Sequence, residues 1–185
     1  MLPFRLLYTL SDFVYIIVYY VVGYRKEKVR KNIALALPHL SDTERLVIEK
    51  KSYRHLCDMF LEMIKTMTIS KKEISKRFVF PNLEVYQKLE SQNKSIAMML
   101  AHYASYEWVI SMNYYVRYGA FAIYKKIANP YFDKLVRDIR SRFKASLITT
   151  KETVPYIIKN KNNKLLSVYG FASDQSPKVS SAFHW

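Results

Sequence analysis

The run LAHYASYEW, Leu100 to Trp108, holds the two side chains best suited to chemistry, His102 and Glu107. An imidazole takes and returns a proton near neutral pH, and a carboxylate bonded to one ring nitrogen fixes the tautomer and favours the cation. The pair follows a short apolar run, Ile96 to Leu100, that reads as a buried parallel strand. Ligands in open α/β sheets bind at the carboxyl ends of strands, so the position of the pair informs as much as its residue types. Ser105 is placed to cap a helix opening there, with Glu107 in its first turn and His102 left in the loop. Taken alone, the spacing is better read as a polar loop histidine and a helix-start carboxylate stabilised by the macrodipole.

The surrounding pattern predicts the elements that must position this pair. Phe121 to Tyr124, Ser146 to Thr149 and Lys164 to Tyr169 read as further strands, with helices near Pro130 to Phe143 and Glu152 to Lys159 between them. Alternating strand and helix argue for a layered α/β domain behind an N-terminal helical region. Upstream, Ser41-Asp42-Thr43-Glu44 has the form of a capping box and predicts a long helix. Leu46, Tyr53, Leu56, Phe60, Met63, Ile64 and Met67 recur along it at three- and four-residue spacings, a stripe for core or membrane-facing packing. Pro81-Asn82 marks a turn before a short helix from Leu83 to Leu89. The expected organisation is a membrane anchor helix at 1–24, a basic flank and helical region at 25–92, and an α/β domain at 93–185.

Half of the 185 residues are hydrophobic and only three are glycine, the composition of packed structure rather than linker. A formal charge of +15 implies an anionic partner: nucleic acid, anionic lipid or an acidic carrier protein. The single cysteine, Cys57, excludes an intramolecular disulfide framework.

Leu6 to Tyr24 carries one charge, Asp12, and is near the length a helix needs to cross a bilayer. Asp12 at the centre of such a span would cost about 2.5–3.5 kcal/mol, so a helix lying in the interface competes with a spanning one, as does a buried core helix. No small-residue cleavage site follows the segment, which argues against a cleavable signal peptide. Arg25, Lys26, Lys28, Arg30 and Lys31 crowd its C-terminal side against Arg5 alone before it, which predicts a main domain in the cytoplasm. Those cations also suit anionic membrane lipid.

Four ordered blocks resemble the late acyltransferases of lipid A biosynthesis, a branch of the glycerolipid-type acyltransferases that carry a His-x4-Asp/Glu motif. They are Gly23-Tyr24-Arg25 through Val29-Arg30-Lys31-Asn32 and Leu37-Pro38 to Phe60-Leu61-Glu62; His102 to Trp108; Tyr124-Lys125 through Asn129-Pro130 and Asp133 to Arg140-Ser141-Arg142-Phe143; and Gly170 to Asp174-Gln175-Ser176-Pro177. The likeness covers nearly the whole chain. It also shows departures: Ala104-Ser105 stands for the usual Gly-Asn, Tyr106 for Trp, Lys125 for Arg, and Lys144 for a common Gly. Lys and Arg are not equivalent where phosphate is held in a bidentate fork.

The resemblance implies an acyl carrier protein thioester as donor, a hydroxyl of a lipid A precursor as acceptor, and no cofactor or metal. His102 would act as base and Glu107 as its orienting carboxylate, with Lys125, Arg140 and Arg142 on phosphate and Asp174 and Gln175 ordering the site loops. Asp174-Gln175 also reads as a plain turn before Pro177, and the arginines as a solvated helix face. His184 lies outside the block and is expected to be non-catalytic. Family members continue beyond the point matched by Trp185, so the expectation is a C-terminally truncated chain with an incomplete sheet. A glycerophospholipid or amino-lipid acceptor would use the same His-Glu pair. A basic membrane-associated binding protein without catalysis would tolerate loss of His102, and a nucleic-acid-binding protein, for which the sequence carries no signature, would leave the ordered blocks unexplained.

Overall fold

The computed structural model describes residues 2–175. The chain divides into two compact units, Met1–Thr68 and Ile69–Trp185. The division falls upstream of residue 93, because two short helices after Thr68 belong with the sheet.

The first unit is helical. Helix α1, Phe4–Ile16, continues into a π-helical segment, Ile17–Val22, and ends at Gly23, whose φ of 64° is the left-handed conformation a helix end favours in glycine. Helix α2 spans Lys26–Ala36 and α3 spans Asp42–Lys65. The capping box forms as expected: Ser41 Oγ accepts from Glu44 N at 3.3 Å, and Glu44 Oε2 accepts from Ser41 N at 2.8 Å. Tyr15 and Tyr19 of the first helix pack with Tyr53 and Cys57 of α3 in one buried cluster.

The stripe expected on α3 is only partly inside. Tyr53 and Met63 are buried, but Leu46, Leu56, Phe60, Ile64 and Met67 are exposed. Glu49 and Glu62 take buried places instead, because the tyrosine hydroxyls carried into the seam need acceptors: Tyr19 Oη donates to Glu49 at 2.9 Å and Tyr8 Oη to Glu62 at 2.7 Å.

The second unit is an α/β layer, as expected. Helices α4 (Lys71–Arg77) and α5 (Leu83–Glu90) lead into β1 (Ile96–Leu100), a 3₁₀ helix (Tyr106–Tyr114), β2 (Gly119–Tyr124), α6 (Pro130–Ser141), β3 (Ser146–Thr149), α7 (Thr153–Asn162) and β4 (Ser167–Ala172). The four strands are parallel in the order β1-β4-β2-β3. Asn129 caps α6 by accepting from the amides of Tyr131 and Phe132, with Pro130 at the first helical position. Strand β4 starts three residues later than the sequence pattern suggests. Lys164 sits in the left-handed region at φ 55° and closes the turn after α7, so the ladder cannot open before it.

Side chains alternate across a sheet, and the register places Met98 and Leu100, Val168, Gly170 and Ala172, and Ala120 and Ala122 on one face. The opposite face carries Phe121 stacked on Tyr169, and Asn160 of α7 donates to the Tyr169 hydroxyl at 2.9 Å. The first face meets the 3₁₀ helix, with Met112, Val168 and Tyr86 closing a core near the strand starts.

Candidate active site

Strands β1 and β4 run side by side with Leu100 opposite Ala172. Two residues on, the same register sets His102 opposite Asp174. Ser173 N donates to Leu100 O at 3.0 Å, and the Asp174 side chain then continues the ladder: Oδ2 accepts from His102 N at 2.9 Å while Oδ1 lies 2.7 Å from His102 Nδ1. A carboxylate can only accept, so Nδ1 carries the hydrogen, and in the neutral form of the ring Nε2 holds the lone pair. Those two hydrogen bonds, from ring and backbone, hold the Asp174 carboxyl below the ordinary carboxylate range. Tyr106 packs edge-on to the imidazole at 4.8 Å between ring centroids.

The orienting carboxylate that the resemblance implies, Glu107, is engaged elsewhere. Its side chain is buried, and Arg140 grips it in a fork, Nε to Oε2 at 2.8 Å and Nη2 to Oε1 at 2.5 Å. The local turn explains the difference. The segment after His102 is a 3₁₀ helix with Ala104 at φ 48°, and it carries Glu107 under α6 rather than beside the ring. Ser105 is the N-cap residue but makes no side-chain capping bond. Burial works against the Arg140 cation, yet its hydrogen bonds and charge contact with Glu107 raise its pKa further above the ordinary value. Burial, then the Glu107 charge, push the Tyr106 phenol up to about 12, so it stays protonated at neutral pH.

His102, Tyr106, Glu107 and Arg140 border a cavity of about 470 Å³. Its depth is apolar, lined by Met98, Leu100, Ile110, Met112, Val116 and Val168 against the sheet face. Its lining follows β4 from Val168 to Ser173, about 17 Å at strand rise. Ala120, Ala122 and Gly170 form its floor; their small side chains keep the space open. Lys125 and Gln175 lie on its wall, whereas Arg142 is exposed and outside the lining. The site residues named from sequence thus fall into an open pair, His102–Asp174, a buried pair, Glu107–Arg140, two lining residues and one outside. His184, Ser176 and Pro177 lie outside the described residues.

Two features escaped the sequence reading. Asn113 lines the cavity with its Nδ2 buried and without a hydrogen-bond partner among the described residues; a 3₁₀ helix has no strong periodic signal that would point it inward. The two departures from glycine also gain a physical meaning: Ala104 and Lys144 both have left-handed backbone, at φ 48° and 62°. Among the described residues no group of three or more His, Cys, Asp or Glu side chains could hold a metal ion.

A parallel α/β layer here presents a histidine at the edge of a largely apolar cavity. The chain matches the bacterial lipid A biosynthesis acyltransferase family over residues 1–182, and it belongs to that family. It is therefore a member of an acyltransferase family of lipid A biosynthesis. A comparison with curated proteins found no match.

Proposed function

We propose that this protein transfers a fatty acyl chain from an acyl carrier protein thioester to a hydroxyl of a lipid A precursor at the cytoplasmic face of the inner membrane. The observation that supports the mechanism is the 2.7 Å contact of His102 Nδ1 with Asp174, which leaves Nε2 for the role of base at the cavity edge. Nε2 takes the acceptor hydroxyl proton as the oxygen attacks the thioester carbonyl. The new C–O ester bond forms, the C–S bond breaks, and the departing sulfur leaves as a thiol with the proton returned from the imidazolium.

Asp174 fixes the tautomer and stabilises the transient cation, the role that the family resemblance implied for Glu107. Glu107 and Arg140 act as a buried strut that holds the 3₁₀ helix against α6. The apolar cavity takes the acyl chain, and exposed Lys125 and Arg142 attract the phosphates of acceptor or carrier, with Gln175 on the cavity wall. Phosphorylated lipid and an acidic carrier account for the net charge of +15, and nucleic acid is not required.

The test is transfer of a labelled acyl group from acyl carrier protein to purified precursor. His102→Ala should abolish it while circular dichroism and cofractionation with membranes stay unchanged. A folded variant with near-normal turnover overturns the mechanism, and transfer only to a glycerophospholipid reassigns the acceptor.

A further inference from the structure

Helix Phe4–Val22 is long and apolar enough to cross a membrane, but its partner is not. Contacts run the length of the pair in antiparallel order. Lys65 Nζ donates to Leu2 O at 2.7 Å, Tyr8 bonds Glu62, the Arg54 guanidinium lies 5.1 Å from the Tyr15 ring centre, and Tyr19 bonds Glu49. From Leu2 to Tyr19 this seam covers about 26 Å at helical rise, close to the roughly 30 Å of a hydrocarbon core.

A first helix that crossed the bilayer would therefore carry α3 in with it. Ten of the 24 residues of α3 are Asp, Glu, Lys or Arg, and each of Lys50, Lys51, Arg54 and Asp58 near its middle would cost about 2.5–3.5 kcal/mol at the bilayer centre. Several such costs exceed what the apolar helix gains. The packed pair has another way to meet lipid. Leu6, Leu10, Phe13, Ile17 and Tyr20 recur at spacings of four and three along the side of the first helix turned away from the seam, and all are between 38% and 60% exposed. Asp12 lies off that stripe, about 100° around the helix from Phe13.

We infer that the first unit binds its membrane monotopically: the outer stripe of the first helix is immersed in one leaflet of an anionic bilayer, with both helix ends on the same side. Charge complementarity selects this occupant. Exposed Arg25, Lys28 and Lys31 follow the stripe directly, and Tyr20 and Tyr24 stand exposed at its end, where amphipathic rings favour the head-group level. The inference rests on the proposed work of this protein at a membrane and adds the manner of attachment.

Two measurements on the full chain test it. With Cys57→Ser, the chain's single native thiol is removed, and Leu2→Cys or Tyr24→Cys is then exposed to a membrane-impermeant maleimide in inside-out inner-membrane vesicles. Both positions should label without detergent. Labelling of position 24 alone, with position 2 reached only in detergent, overturns the monotopic arrangement while leaving membrane function intact. In flotation, the unmodified chain should rise with vesicles of phosphatidylcholine and phosphatidylglycerol and more weakly with phosphatidylcholine alone. The double variant Leu10→Asp, Phe13→Asp should lose at least tenfold in bound fraction with its circular dichroism unchanged. Undiminished flotation of that variant overturns the assigned face. An unmodified chain that fails to float, or that is held only by a protein partner, overturns both the attachment and the membrane reading beneath it.

Discussion

Replacing Arg140 by Ala removes the only cation that grips Glu107 among the described residues and leaves a carboxylate buried with its charge uncompensated. The Arg140 side chain is 19% exposed and that of Glu107 8%, so solvent cannot substitute for the lost fork. Removing one partner of a buried pair costs about 3–5 kcal/mol. At roughly 2–4 °C per kcal/mol for a chain of this size, the melting temperature should fall by about 6–20 °C. The assay is urea and thermal unfolding followed by circular dichroism, with acyl transfer measured on the folded fraction. The double variant Arg140→Met, Glu107→Gln should recover at least about 2 kcal/mol, because no charge is left stranded. If Arg140→Ala instead unfolds like the unmodified protein and only raises KM for donor or acceptor, Arg140 is a phosphate contact and the strut argument fails.

Three further outcomes are expected. Asp174→Asn presents an amide N–H to Nδ1 and favours the opposite tautomer, so kcat should fall on the order of 10²–10⁴-fold with KM little changed; equal loss in both would mark a binding role. The folded pKa of Asp174 is depressed, so its bond to His102 is fully present above the unfolded value of about 3.9 and is lost only as pH falls through the lower folded value. The Asn defect should therefore persist at every pH from about 5 upward, and a defect confined to acid pH would contradict this. Lys144→Gly should raise stability by about 1 kcal/mol in unfolding experiments, because the residue sits at φ 62° after α6. Ser41→Ala removes the capping box of α3 and should destabilise the helical unit by about 1 kcal/mol, seen as an earlier helix transition by circular dichroism.

Local chemistry carried far into the fold. The box at Ser41 and Glu44, the Asn129-Pro130 start of α6 and the apolar runs at Ile96 and Ser146 each formed where their patterns pointed. Such signals involve neighbours within a turn or a strand, so they survive without knowledge of the rest. The buried face of α3 was less legible. Periodicity ranks residues by hydrophobicity, whereas the tyrosines of the first helix required acidic acceptors in the seam.

From its residues alone, this protein has a basic chain, an apolar first helix, an alternating α/β region and a histidine at the end of a strand, because each of these depends on composition or short-range spacing. Which carboxylate serves that histidine was decided by tertiary structure. Glu107 is five positions away in sequence, but a 3₁₀ turn carries it to Arg140. Asp174 is 72 positions away, and the parallel register of β1 with β4 delivers it to the ring. A hydrogen bond forms where atoms meet in space, and here only the pairing of distant strands brought them together.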